Sequence, residues 1–173
     1  MSSISTDPPH REILKCFEHG AESASRALSA WIDGPVRLTV GGVAMVDLVE
    51  ATGILGDPEI LVTACSLGLT GGRLSGQVIL VFEDRAGFAL VDQLTRQTIG
   101  TTTSWGDLER SAAEETTNIL GCAFLNALAE HLPMDPDREG QSSALIPAAP
   151  KFFHEFAGSL LEFALADQAT ELD

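Results

Sequence analysis

The chain has 173 residues, of which 45% are hydrophobic and 20% are charged, and its formal net charge is -15. This length and apolar content are enough for one domain with a sizeable buried core. The acidic balance disfavours nucleic acid and anionic lipid as partners, because both repel a negatively charged surface. It would suit a protein partner with a basic face, and it also favours solubility.

The three cysteines are odd in number and form no CxxC spacing, which favours reduced thiols over a disulfide framework or a zinc ribbon. The four histidines also lack metal-ligand spacing, so we expect no metal site. The first ten residues are polar, unlike a signal peptide, and no apolar run is long enough to span a bilayer. We therefore expect a cytoplasmic protein without membrane insertion.

The first predicted helix covers residues 11–32, where apolar side chains keep helical spacing up to the break at Asp33-Gly34-Pro35. The next block has strand character. Residues 36–40 alternate with period two, and residues 44–49 form a second extended run after a glycine pair.

Two further strands are predicted around a glycine-rich turn. Residues 59–65 and 77–82 are rich in β-forming side chains. Between them, residues 70–76 lack the GK[ST] ending of a phosphate-binding loop, so we interpret them as a hairpin turn.

Helical spacing returns at residues 86–99, 107–132 and 150–166. Ser104 and Asp107, three residues apart, are expected to cap the long middle helix. The phenylalanines of the last helix are interpreted as core packing, with an apolar groove for a partner helix as the alternative. Because strands cluster instead of alternating with helices, the sequence predicts an α+β domain.

One polar stripe is expected on the long helix. Ser111, Glu115, Asn118 and Cys122 share a face, because each residue advances about 100° around the axis. A carboxylate and an amide three residues apart can touch one ligand, and an amide can hold a water through a donor and an acceptor. Cys122 has no basic neighbour in sequence, which favours a packing role over redox chemistry. By spacing alone, a solvated helix face is the commoner explanation.

Residues 111–129, SAAEETTNILGCAFLNALA, resemble the signature helix of the CheC/CheX group of response-regulator phosphatases. That signature is an Asp or Ser, three residues, a Glu, two residues and an Asn, with a proline further on, a place that Pro147 or Pro150 would take here. Ser111, Glu115 and Asn118 match it position by position. The order of the predicted elements extends the resemblance over nearly the whole chain.

The resemblance implies a single pseudo-symmetric CheC-like domain over 1–173, with halves 8–100 and 104–173 and an antiparallel sheet packed with long helices. In the first half Lys15 stands at the Glu position and Glu18 at the Asn position, so that site should be inactive. The family's second strand set is expected to be missing, which would leave a sheet edge uncovered and favour a homodimer.

The resemblance also implies an activity, hydrolysis of the aspartyl phosphate of a CheY-like response regulator. Asn118 would orient the attacking water and Glu115 would contact a lysine of the regulator. Ser111 and Cys122 would lie on the partner-binding face. No cofactor of the chain's own is expected, because Mg²⁺ would be bound by the partner receiver domain. The alternative is a non-catalytic CheC-like adaptor that binds a receiver domain, a CheD-like deamidase or the flagellar switch.

Overall fold

The computed structural model of the chain describes residues 8–44, 46, 53–71, 74–130, 146–160 and 162. The elements, in chain order, are α1 (Pro8–Ile32), β1 (Leu61–Gly71), β2 (Leu74–Phe82), α2 (Asp84–Leu94), α3 (Asp107–Ala129), β3 (Ile146–Pro147) and β4 (Lys151–Phe156). Helices packed with one antiparallel sheet confirm the predicted α+β class. None of the helices in these ranges has the length and apolarity to cross a membrane.

α1 begins at a proline pair and ends at a residue in the left-handed conformation. Proline suits the first turn of a helix, where the N–H groups have no partner inside the helix. At the other end Asp33 has a φ of 56°, and the Gly34 N–H donates to the Ser29 carbonyl oxygen at 3.1 Å. The predicted helix is confirmed and starts about one turn earlier than expected.

Residues 35–44 lie outside the sheet, so the strand predicted within them is wrong. The N–H groups of Val36 and Leu38 donate instead to the hydroxyl oxygens of Ser29 and Ser25, at 2.9 and 2.8 Å. The valine and leucine side chains pack against the apolar core that α1 shares with α3 and β2. The alternation of apolar and polar residues at 36–40 therefore arises because alternate side chains pack against α1 and the core, and not because the segment is a strand.

β1 is the central strand and is longer than the predicted strand at 59–65. β2 pairs with it antiparallel from Thr63, opposite Phe82, to Gly71, opposite Leu74, so the predicted hairpin is present but its strands extend into most of residues 70–76, where a turn was predicted. β3 and β4 pair antiparallel with the other edge of β1. Residues 62–67 are all buried, so β1 is covered on both faces. The run predicted at 44–49 falls almost entirely outside the described residues.

The helix predicted at 150–166 is wrong at its start, because residues Lys151–Phe156 form β4. Helical conformation begins only at Ala157. Phe152 and Phe153 point to opposite faces of the sheet, and the Phe152 ring centroid lies 5.2 Å from that of Trp105. β3 and β4 thus follow the long helix, where no strands were expected. The homodimer expected from a bare sheet edge stays a prediction.

α2 ends at Leu94, earlier than predicted, because the following loop folds around Asp92. The Asp92 carboxylate is fully buried and accepts the backbone N–H groups of residues 100–102 at 2.6 to 3.0 Å. Hydrogen bonds hold the pKa of Asp92 below its ordinary value, and the bond with the Thr102 side chain contributes most. This carboxylate closes the loop that leads into α3.

α3 starts at the predicted residue but with a different cap. Its N-cap is Gly106, whose N–H donates to Glu109 Oε2 at 3.0 Å, one half of a capping box. Ser104 and Asp107 therefore do not form the expected cap. The helix runs to Ala129 with Glu130 as its C-cap, and residues 131–132 of the predicted helix lie outside the described part of the chain.

α3 packs tightly on both β1 and α1 at two glycines. A Cβ added to Gly121 would overlap Leu67 Cδ2, so the helix touches the strand here. A Cβ added to Gly20 of α1 would lie 2.6 Å from the Phe124 ring of α3. The Phe17 ring completes this contact at a centroid distance of 5.7 Å from Phe124. These contacts fix the position of α3 against the sheet and against α1.

Replacing Gly121 by alanine tests the contact between α3 and β1. Helix propensity alone would favour alanine by about 1 kcal/mol. The added methyl group, however, would overlap Leu67, which is fully buried. We expect the free energy of unfolding, measured with urea, to fall by about 1–3 kcal/mol.

Gly41→Ala is the control, because an added Cβ at position 41 meets nothing within 4 Å. It should change the free energy of unfolding by less than about 0.5 kcal/mol. If Gly121→Ala is as stable as the wild type, α3 and β1 do not pack tightly at Gly121 and Leu67.

Candidate functional site

The predicted stripe lies on the face of α3 that is turned away from the core. Ser111 and Glu115 are exposed, whereas Asn118 and Cys122 are half-buried. The buried residues of the helix are Ala113, Thr116, Thr117, Leu120, Gly121, Leu125 and Ala127. The fold therefore presents the four stripe side chains on one surface roughly 16 Å long, at about 1.5 Å per residue.

Glu115 has no cation within one turn on its own helix. Pairing along a helix needs a partner three or four residues away. The residues at those positions are Ser111, Ala112, Asn118 and Ile119. The exposed carboxylate therefore has no helical partner that would neutralise it, and its charge is available to a cation on another molecule.

Asn118 contacts Cys122, one turn further along α3. The Cys122 Sγ lies 3.4 Å from Asn118 Oδ1, so the thiol donates to the amide oxygen. The amide keeps both N–H donors and a second lone pair on Oδ1. It can hold a water through a donor and an acceptor, but it cannot take up a proton. Asn118 is therefore suited to orienting a nucleophile and not to acting as a base.

The stripe extends further along α3 in both directions than the sequence reasoning predicted. Leu108 lies three residues before Ser111 and is 59% exposed. Asn126 follows Cys122 by four residues and is also exposed. Continuing the same helical spacing would have found both residues. The face is thus mostly polar, with one apolar side chain at its N-terminal end.

Buried hydrogen bonds support the opposite side of α3. The hydroxyl groups of Thr116 and Thr117 donate to the carbonyl oxygens of Ala112 and Ala113 at 2.7 and 2.9 Å. The Trp31 indole N–H of α1 donates to Thr116 Oγ1 at 3.2 Å. These buried polar groups are therefore satisfied, and one of them ties α3 to the end of α1.

Cys65 lies on β1 and is fully buried. Burial raises the pKa of its thiol to about 11, although a hydrogen bond with Thr117 acts in the opposite direction. The protonated thiol is a poor nucleophile, so Cys65 has a packing role. All three cysteines are free thiols. Across the described ranges, no group of three or more His, Cys, Asp or Glu side chains could hold a metal ion.

No family model matches the sequence. The fold does have counterparts among solved structures. FliY from Thermotoga maritima is 18% identical, with a TM-score of 0.69 over 90% of this chain and 72% of that chain. A CheC-like superfamily protein from Shewanella sp. PV-4 is 12% identical, with a TM-score of 0.55 over 83% of this chain and 78% of that one. A chain of the FliG–FliM complex from H. pylori is 13% identical, with a TM-score of 0.53 over 88% and 75%.

The chain has the CheC-like fold. This confirms the fold expected from the resemblance of residues 111–129 to the signature helix. The division of the CheC-like domain into halves 8–100 and 104–173 stays a prediction.

Within the CheC-like fold, α1 and α3 lie side by side and antiparallel. Trp31 at the end of α1 contacts Thr116 in the first half of α3, whereas Phe17 in the first half of α1 contacts Phe124 near the end of α3. The predicted pseudo-symmetry would require such an antiparallel pair. Under the alignment that the resemblance implies, Lys15 corresponds to Glu115 and Glu18 to Asn118.

The α1 stripe that corresponds to the α3 stripe is charged throughout. Its residues are exposed and consist of Arg11, Lys15, Glu18, Glu22 and Arg26. Lys15 stands where α3 has Glu115, and Glu18 stands where α3 has Asn118. Of the two helices, only α3 combines a carboxylate and an amide at this spacing.

A polar cluster around Asp84 anchors the approach to α3. Asp84 Oδ1 accepts the Thr63 hydroxyl at 2.8 Å and the Trp105 indole N–H at 2.9 Å, and Oδ2 lies 3.1 Å from His154 Nε2. Burial raises the pKa of Asp84, but the hydrogen bonds from Trp105 and Thr63 and the nearby His154 outweigh burial, so the pKa is lowered. The cluster joins α2, β1 and β4 to the loop before α3.

Asp84→Asn should destabilise the protein at neutral pH, because the amide cannot match the carboxylate as an acceptor for these donors. A carboxylate whose pKa is lower in the folded state stabilises the fold above its unfolded pKa of about 4. That contribution is lost as the pH falls through the folded pKa. We expect a loss of about 1 kcal/mol at pH 7, allowing for the partial exposure of Asp84.

Urea unfolding from about pH 7 down to about pH 2.5 measures this difference, which should shrink below about pH 4. Asp33→Asn is the control, because Asp33 is exposed and asparagine accepts its left-handed conformation. A loss for Asp84→Asn that is the same at every pH would contradict the lowered pKa.

Proposed function

We propose that this chain hydrolyses the aspartyl phosphate of a CheY-like response regulator, using the exposed face of α3. One observation carries the proposal. The exposed and helically unpaired carboxylate of Glu115 shares a face with the half-buried amide of Asn118. These residue types at this spacing resemble the signature helix of CheC-type phosphatases, and the CheC-like fold supports the comparison.

In the proposed reaction Asn118 orients the attacking water. Its Oδ1 accepts a hydrogen bond from the water and directs a water lone pair at phosphorus, opposite the leaving aspartyl oxygen. A new P–O bond forms as the acyl P–O bond breaks, the regulator's aspartate leaves as a carboxylate, and the water's proton passes to phosphate. Phosphoryl transfer depends mainly on positioning and electrostatics, so an amide is sufficient. Mg²⁺ bound by the regulator would neutralise charge on the phosphoryl group.

Glu115 docks the regulator in this proposal, through an ion pair with a lysine on the regulator's surface. Its exposure and the lack of a helical cation leave the carboxylate free to make this pair. The net charge of -15 adds a long-range attraction for a basic face. Ser111 and Leu108 would contact the edge of the partner on the N-terminal side, and Cys122 lies on the other side of Asn118.

We assign the activity to α3 alone. At the matching place on α1, the ammonium group of Lys15 would repel a lysine of the regulator. The carboxylate of Glu18 would be repelled by the phosphoryl group and would replace the amide that orients water. The α1 stripe therefore lacks both functions that the α3 stripe would supply.

A second candidate function is a non-catalytic adaptor. The observation that favours it is the likeness to a chain from a complex of two proteins, FliG and FliM. An adaptor would bind a receiver domain, a CheD-like deamidase or a flagellar-switch component through the same face of α3. It would need Glu115 for docking but would not need Asn118.

Asn118→Ala separates the two candidates. If the chain is a phosphatase, the variant should lower the rate of phosphate loss from a phosphorylated CheY-like receiver by about 100-fold, because the water loses its orienting group. The release of inorganic phosphate from a receiver of the same organism, with Mg²⁺ present, measures this rate. Glu18→Ala, at the matching exposed position of α1, should hydrolyse like the wild type.

Two results would contradict the phosphatase assignment. One is full acceleration by Asn118→Ala. The other is a wild-type chain that binds the receiver without accelerating phosphate loss, which favours the adaptor.

Glu115→Gln should weaken docking without slowing the chemical step. Loss of one exposed ion pair costs about 1 kcal/mol, so KM for the phosphorylated receiver should rise about fivefold with kcat nearly unchanged. Raising the ionic strength from about 0.05 M to about 0.5 M should raise the wild-type KM more than that of Glu115→Gln. Glu22→Gln on α1 is the matched control. An equal salt response of wild type and Glu115→Gln would exclude the ion pair.

A further inference from the structure

The contact between Cys122 and Asn118 has a direct consequence for the orientation of the amide. The Sγ–Oδ1 distance of 3.4 Å is short enough for a thiol hydrogen bond. Because the two residues are one helical turn apart, their side chains can meet while α3 keeps its regular backbone. The thiol reaches the oxygen end of the amide, and the nitrogen end stays available.

An asparagine on a helix surface can adopt several rotamers, and its terminal amide rotates over a broad range. Only some of these orientations place Oδ1 and Nδ2 where a water can bind between a donor and an acceptor. A hydrogen bond from Cys122 favours one of them before the partner arrives. Preorganisation of this kind raises a rate because the amide has already lost its rotational entropy in the free protein. That entropy is then not lost on the way to the transition state.

The corresponding pair on α1 cannot do this. There Glu22 takes the place of Cys122 and Glu18 takes the place of Asn118. Two carboxylates one turn apart repel each other. The thiol donor of Cys122 beside Asn118 on α3 therefore has no counterpart at Glu22 and Glu18 on α1.

We propose that Cys122 is a positioning residue for Asn118, acting through its thiol hydrogen bond to the amide oxygen. The effect on rate rests on the proposed phosphatase function, whereas the effect on the amide itself does not. A thiol is a weak donor, so Cys122→Ala should lower kcat about three- to tenfold and change KM less than kcat. Cys122→Ser keeps a donor and should retain most of the activity.

The amide can be observed without any partner. In ¹⁵N-labelled protein the side-chain NH₂ signal of Asn118 is assigned by its disappearance in Asn118→Ala. Cys122→Ala should lower the order parameter of this NH₂ group, and Cys122→Ser should keep it near the wild-type value. Cys16→Ala, at a half-buried free cysteine of α1, is the control and should leave the signal unchanged. Thermal unfolding checks that every variant is folded.

The proposal is overturned if Cys122→Ala leaves the NH₂ order parameter unchanged, or if Cys122→Ser lowers it as far as alanine does. It is also overturned if Asn118→Ala abolishes hydrolysis while Cys122→Ala matches the wild type, and the proposed function then stands. If Asn118→Ala retains full acceleration, the proposed function fails and the predicted effect of Cys122 on kcat fails with it, whereas the NH₂ order parameter still decides whether the thiol holds the amide. A lowered order parameter together with a lowered kcat, both restored by serine, supports the proposal.

Discussion

The contact between α3 and β1 at Gly121 determines which face of α3 reaches solvent. Position 121 has no side chain, so the helix comes close enough for Leu67 to fill the space beside it. A helix held at such a point cannot turn about its axis without displacing neighbours in a close-packed core. Thr117 and Leu120 therefore stay buried, and Glu115 on the opposite side stays exposed. The chemistry of the candidate site depends on this rotation.

The end of α1, the start of α3 and the stripe could be predicted because they depend on local spacing. Asp33 and Gly34 interrupt the periodicity of α1, and the same periodicity placed Asn118 and Glu115 on one face of α3. The contact of Asn118 with Cys122 could not be predicted in the same way. Spacing shows that two side chains are neighbours, but their rotamers decide whether they touch.

The errors in the fold occur where non-local contacts override local pattern. The segment around Val36 alternates like a strand, yet its N–H groups bond to serines of α1 that are earlier in the chain. Phe152, Phe153 and Phe156 have spacing that a helix could use, yet they lie in β4. Pairing with β1 stabilises that strand, and no pattern within residues 151–156 reveals a partner so distant in sequence.

The difference between α1 and α3 supports a single site through charge as well as residue type. On α1, Glu22 precedes Arg26 by four residues, an order that favours pairing along the helix and reduces the field of the stripe. On α3, Glu115 has no such partner, so no neighbouring cation on the helix reduces the electric field of its exposed carboxylate. An unpaired Glu115 beside a half-buried Asn118 is the arrangement that the proposed docking of a basic partner requires.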